Sequence, residues 1–190
     1  MRYQEYNTEI ETAAREQRPS LLWNDDRGNN AIIMKEIFKY STNISMYCGE
    51  GSIFNTNFED RVNNSVEEGD YNPISDLHTQ INQFLNKENT KLTIILQHTE
   101  TIENISDSIM EMWEQKLNNK GIILYRLNPA LSPQFHFTIG DDKMYRREIG
   151  AEEHSAFASF NDPDHVAILK EQFNYLIESS QEIIYDNAVR

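Results

Sequence analysis

Apolar positions along this chain follow two rhythms, one of helical spacing and one of alternation, and together they predict its elements. Over residues 31–40, Ile33, Ile37 and Tyr40 recur at helical spacing with Met34 and Phe38 beside them. Residues 44–48 (Ile-Ser-Met-Tyr-Cys) then read as a strand. A second helix is predicted over residues 74–86, with Ser75 as its cap and Leu77, Ile81, Phe84 and Leu85 facing inward. The β-branched run 90–96 predicts a buried strand. A third helix spans 105–117, with Ile109, Met112, Trp113 and Leu117 on one face and Gly121 as its stop, and a strand follows at 122–127. Residues 135–139 and 144–148 form a hairpin across Gly140-Asp141-Asp142-Lys143, whose turn residues tolerate unusual dihedrals. Residues 156–160 give a further strand. Asp162-Pro163-Asp164 opens a last helix whose apolar positions are Val166, Leu169, Phe173, Leu176 and Ile177. Residues 55–72 read as polar and irregular, with helical spacing only at 58–62.

Helices alternating with apolar strands argue for an α/β domain, with a mostly parallel sheet flanked by helices and right-handed crossovers. Residues 1–30 read as an N-terminal arm: a short helix over 8–17, a loop, and a patch of Leu21, Leu22 and Trp23 that docks on the core or on a partner. Residues 31–190 read as one domain, and the whole chain, 190 residues at 38% apolar content, has enough material for a core.

Charge narrows the partners. The chain carries 17 Lys+Arg against 31 Asp+Glu, a net −14. Such a field repels phosphate backbones and anionic surfaces, so nonspecific nucleic-acid binding is disfavoured. No apolar run reaches the ~18 residues of a membrane span. The polar start shows no secretory signal, and the single Cys48 allows no intrachain disulfide. A cytoplasmic protein is the expectation.

Candidate chemistry is sparse. His136 lies on a predicted apolar strand and reads as a structural imidazole, or as a base if the fold supplies a partner. Arg146 and Arg147 could grip a phosphate or carboxylate, or bridge to Glu152 and Glu153. His78, His98, His154 and His165 show no metal-type spacing, and the His98–Glu100 pair is weak, so neither metal nor cofactor is expected. Cys48 beside Glu50 reads as a buried, inert thiol. Gly49-x-Gly51 lacks the third Gly of a dinucleotide fingerprint. Trp23 and Trp113 read as core or interface.

The stretch Gln134-Phe135-His136-Phe137-Thr138-Ile139-Gly140-Asp141, with Ala158-Ser159-Phe160-Asn161 after it, resembles the signature region of the phospholipase D-like superfamily. The resemblance covers roughly residues 31–180. It implies one half-domain of that fold, in which a strand carries His-x-Lys, four residues and Asp, followed by a Gly-Ser-x-Asn strand. In that family the His is nucleophile or general acid, the Lys and Asn hold phosphate, and the Asp orients and charges the His. Two halves, in tandem or in a homodimer, build one site. Aligning Asp141 with the Asp puts Gln134 at the His and His136 at the Lys. Aligning His136 with the His leaves Thr138 at the Lys and Lys143 at the Asp. Neither register is intact, and the segment 146–154 lengthens the spacing. Gln is not nucleophilic, and without the Lys no fixed cation clamps a phosphate.

The resemblance therefore implies a catalytically degenerate member that works by binding. It would act as a sensor, scaffold or regulatory subunit in an intracellular prokaryotic complex, as a homodimer or within a larger assembly. Remnant catalytic candidates are His136, Asp141 and Asn161; ligand-binding candidates are Gln134, Arg146 and Ser159. One alternative is a diverged phosphodiesterase or nuclease using His136 and Asn161, with Asp141 or Asp142 as orienter and Arg146 as clamp. Another is an acidic decoy that occupies a nucleic-acid-binding partner.

Overall fold

The computed structural model describes residues 3–24, 26–67, 70–131, 135–149 and 155–184. Its centre is three parallel strands: β2 (Asn43–Cys48), β3 (Lys91–Leu96) and β4 (Ile122–Leu127). β1 (Leu22–Asn24) precedes them in the chain. Helices α3 (Thr56–Asn63) and α4 (Pro73–Asn86) connect β2 to β3, and α5 (Asp107–Asn118) connects β3 to β4. Beyond β4 the chain continues as β5 (Phe137–Gly140), β6 (Met144–Glu148), β7 (Ala156–Ser159), α6 (Pro163–Glu178) and β8 (Ser180–Glu182). All eight strands form one sheet, in the order β1-β7-β6-β5-β2-β3-β4-β8.

The α/β class, the flanking helices and the hairpin match the expectation. The sheet is mixed rather than mostly parallel: β2–β3 and β3–β4 are parallel, and the other five pairings are antiparallel. Parallel neighbours need a long crossover, whereas β5, β6 and β7 follow one another through short connections that return the chain antiparallel. The polar stretch after β2 holds α3, capped by the Asn55 side chain, which accepts from Phe58 N. The cap of α4 is Asn72, not Ser75, with Pro73 opening the helix.

Strand alternation divides the core. Met46, Ile94, Leu124, Met144 and Ala158 face the layer that holds α1 (Tyr3–Arg15), α2 (Arg27–Tyr40), α3, α4 and α5. Tyr47, Ile95, Phe137, Ile139 and Tyr145 face α6 through its Val166, Leu169, Phe173 and Leu176. The central strands are therefore covered on both sides, which is why β3 reads as a continuous apolar run.

In the N-terminal segment, α1 and β1 both pack against the rest of the described chain. α1 starts earlier than the expected 8–17 and buries Ile10, Ala13 and Ala14. β1 adds to the outer side of β7, with Leu22 opposite Ala158. Strand alternation splits the Leu21-Leu22-Trp23 patch: Leu22 is buried, while Leu21 and Trp23 are exposed. Trp113 is in the core.

A buried charge cluster docks α1 on α2. Lys35 Nζ donates to Asn7 Oδ1 at 2.6 Å and Glu11 Oε1 at 2.7 Å, and lies 3.0 Å from Glu36 Oε1. Glu36 is fully buried and also faces Lys39 at 3.5 Å. The hydrogen bond from Lys35 holds the Glu11 carboxyl below its ordinary range. A second polar chain joins three helices. Ser106 donates to Glu59, so Ser108 donates to Ser106, and Nδ1–H of His78 donates to Ser108 at 2.6 Å. Burial lowers the pKa of His78 and keeps it neutral. No helix among the described residues is long and apolar enough to cross a membrane.

Removing one partner of a buried pair strands the other charge, at a cost of about 3–5 kcal/mol. Lys35→Ala is expected to lower the unfolding free energy by about that amount in urea titrations. The double change Lys35→Met with Glu36→Leu, which removes both buried charges, is expected to recover most of it.

Candidate functional site

The carboxyl ends of β2 and β3 meet the start of β5 and the end of β6, and a cleft opens there. After β2 the chain turns sharply: Gly51 has φ +67°, and a Cβ on it would lie 2.7 Å from Ile102 Cδ1. Gly49 lies between two imidazoles, since a Cβ there would meet His136 Cε1 at 3.4 Å and His98 Cδ2 at 3.5 Å. The cleft holds about 450 Å³ and continues into a smaller recess under α3. Asn30, Glu50, Ser52, Arg61, Arg146 and Glu148 line both parts.

Register places the polar groups. Glu148 N donates to His136 O at 2.9 Å, so these residues face each other across β5 and β6. Arg146 and Glu148 stand two residues apart on one strand and project from the same face. The Arg146 guanidinium is buried; Nε donates to Asn24 Oδ1 at 2.9 Å, and Nη1 reaches Glu148 Oε1 at 3.4 Å. Asn24 belongs to β1 and is itself fully buried. The other Glu148 oxygen lies 2.9 Å from His136 Nδ1. The remaining imidazole nitrogen, Nε2, lies 2.8 Å from Gln97 Oε1 just beyond β3.

The charges of this cluster depend on one another. Burial works against the ionised form of Glu148, but the hydrogen bond from His136 and the nearby Arg146 charge outweigh it and hold the carboxyl below its ordinary range. Burial lowers the pKa of Arg146, and Glu148 opposes that shift. A carboxylate only accepts, so Nδ1 of His136 carries a proton. Nε2 then faces the Gln97 amide, as acceptor from its NH₂ in the neutral ring or as donor to Oε1 in the imidazolium. In either state both ring nitrogens have a hydrogen-bond partner. Burial pushes the nearby Cys48 thiol up to about 12.

Among the sequence candidates, the structure brings His136 and Arg146 together, with His98 at the rim of the same cleft, and places Asp141, Asp142, Ser159 and Asn161 elsewhere. Asp141 sits in the hairpin turn with φ +51° and accepts from Thr42 N, Thr42 Oγ1 and Asn43 N. Five residues of extended chain, roughly 17 Å at about 3.4 Å per residue, separate it from His136. Asp142, in the same turn, pairs with Lys170. Ser159 pairs with Tyr145, so its side chain leaves the sheet on the face opposite Arg146. Asn161 N binds Ser159 Oγ, and the next residue reaches Lys143 in the turn, so Asn161 also lies at the turn end. Gln134 and His154 lie outside the described residues. Arg147 stacks over Phe135 at 4.0 Å on the face away from the cleft. Among the described residues no group of three or more His, Cys, Asp or Glu side chains could hold a metal ion. Sequence reasoning missed Glu148, Gln97, Asn24 and Arg61. Only Glu148 left a local signal, a carboxylate two residues after Arg146 on a strand.

The sign of the pH effect follows from the lowered pKa of Glu148. Its folded pKa lies below the unfolded value of about 4.3, so its stabilisation is complete above that pH and is lost as pH falls through the folded pKa. Glu148→Gln is expected to cost about 2–3 kcal/mol at neutral pH and to narrow the gap to the parent chain on acidification. Urea midpoints measured as a function of pH check both.

No protein-family model and no curated protein matches the sequence. Solved structures do. Nuc, a phospholipase D family member from Salmonella typhimurium, aligns with a TM-score of 0.51 at 13% identity, over 87% of this chain and 98% of that one. NucT from Helicobacter pylori gives 0.46 at 12% identity, over 85% and 96%. TrmBL2, an archaeal chromatin protein, gives 0.48 at 15% identity over 94% of this chain, which spans 60% of that protein's length. The eight-stranded mixed sheet and the likeness to Nuc over nearly its whole length show that this chain has the phospholipase D-like fold.

Proposed function

We propose that this chain is a catalytically silent phospholipase D-like protein that works by binding. The observation that carries this reading is the closed pair of hydrogen bonds on His136, with Nδ1 on Glu148 and Nε2 on Gln97. Two further features support it. Arg146 spends Nε and Nη1 inside the protein, on Asn24 and Glu148. Asp141 and Asn161, which a working signature would draw toward the histidine, stand at the other end of the hairpin. In this reading the fold is a platform for a sensor, scaffold or regulatory subunit of an intracellular complex. It assembles as a homodimer, with exposed Trp23 on the edge strand β1 and exposed Leu21 just before it as natural contact residues.

The competing reading is a diverged phosphodiesterase in which His136 acts from the cleft. A screen with bis(p-nitrophenyl) phosphate and short single-stranded DNA separates the two. The parent chain and His136→Ala are expected to show the same background rate. Turnover that disappears with His136→Ala would overturn the silent-site reading. Light scattering is expected to give twice the chain mass; a monomer would remove the dimer.

A further inference from the structure

The cleft beside His136 presents charged and polar groups that nothing in the chain answers. Arg61 on α3 and Glu50 in the β2–α3 connection line both of its parts, yet neither makes a hydrogen bond or ion pair among the described residues. They do not pair with each other. Asn30 projects from α2 into the same space, and its Oδ1 is buried with no hydrogen-bond partner. The floor is already spent: Arg146 and Glu148 hold each other, and Glu148 holds His136.

An open cation, an open carboxylate and an orphaned amide oxygen in one cleft ask for a ligand of mixed charge. We propose that the cleft binds a small zwitterion of the α-amino-acid class. Its carboxylate lies on the planar fork of Arg61 and its ammonium on Glu50, with Asn30 Oδ1 accepting a second ammonium proton. A phosphodiester or free phosphate satisfies Arg61 but leaves Glu50 unanswered and sets a like charge beside it. A simple cation satisfies Glu50 but leaves Arg61 unanswered. The volume of about 450 Å³ suits a small molecule rather than a polymer strand. This inference rests on the cleft being a binding site rather than a hydrolytic one.

Titration calorimetry with a panel of free amino acids, and with inorganic phosphate and adenosine monophosphate as anionic controls, tests it. At least one amino acid is expected to bind saturably. Arg61→Gln and Glu50→Gln are each expected to weaken that binding about tenfold or more, as loss of a charged hydrogen bond does. Both residues are exposed, so unchanged urea midpoints are expected to show that the variants fold. The proposal is overturned if no amino acid binds the parent chain, or if both variants bind as the parent does. It is equally overturned if phosphate binds in the cleft and is lost with Arg61→Gln while amino acids do not bind. Hydrolysis in the diester screen would sink the silent-site reading on its own, without deciding whether a zwitterion binds.

Discussion

A guanidinium cannot be left bare inside a protein, and most of the cleft follows from burying Arg146. Its charge must be met by a carboxylate and its donors by oxygen atoms, or the site is unstable by several kcal/mol. Glu148 supplies the carboxylate from the same strand, and Asn24 supplies an amide oxygen from β1. Glu148 then has a second oxygen to satisfy and takes His136, which in turn takes Gln97. One buried cation thus links β1, β6, the start of β5 and the end of β3. The same commitments that make the cluster stable engage both nitrogens of the His136 ring.

Fold and chemistry separate cleanly here. The phospholipase D-like sheet depends on the alternation of large apolar residues in β2, β3 and β5, which divides the core between five helices on one side and α6 on the other. Residues such as Tyr47, Ile95 and Phe137 maintain that division whatever the polar groups at the strand ends do. A site depends on a handful of atoms within hydrogen-bond reach, and here those atoms have turned toward one another. Function therefore has to be argued from the cleft, not from the architecture.

Much of the architecture was legible in the residues themselves. Helical spacing located α2, α4, α5 and α6, and the run of β-branched residues located β3, because local pattern and tertiary burial agree there. The antiparallel majority of the sheet was not legible from the alternation of helices and strands, since pairing direction is set by the length of each connection. The site was half legible. His136 and Arg146 stood out by type, but motif spacing grouped them with Asp141, Ser159 and Asn161, which alternation and register send to another face or another end. Gln97 and Asn24 gave no sign, because their roles exist only once distant strands lie side by side.

The pairing of β1 has a consequence for how the molecule is made. Asn24 and Arg146 are 122 residues apart, and β1 can join the sheet only after β7 has been synthesised. Such long-range pairings close slowly, because loop entropy is lost before the contact returns anything. On a ribosome β1 would emerge before β7 and wait for it to find its place. Until then the Arg146 charge lacks its amide acceptor, and the cleft has no finished floor. Completion of the cleft is thereby coupled to synthesis of β7: a copy that stops before β7 leaves β1 without its pairing strand and Arg146 without the oxygen of Asn24.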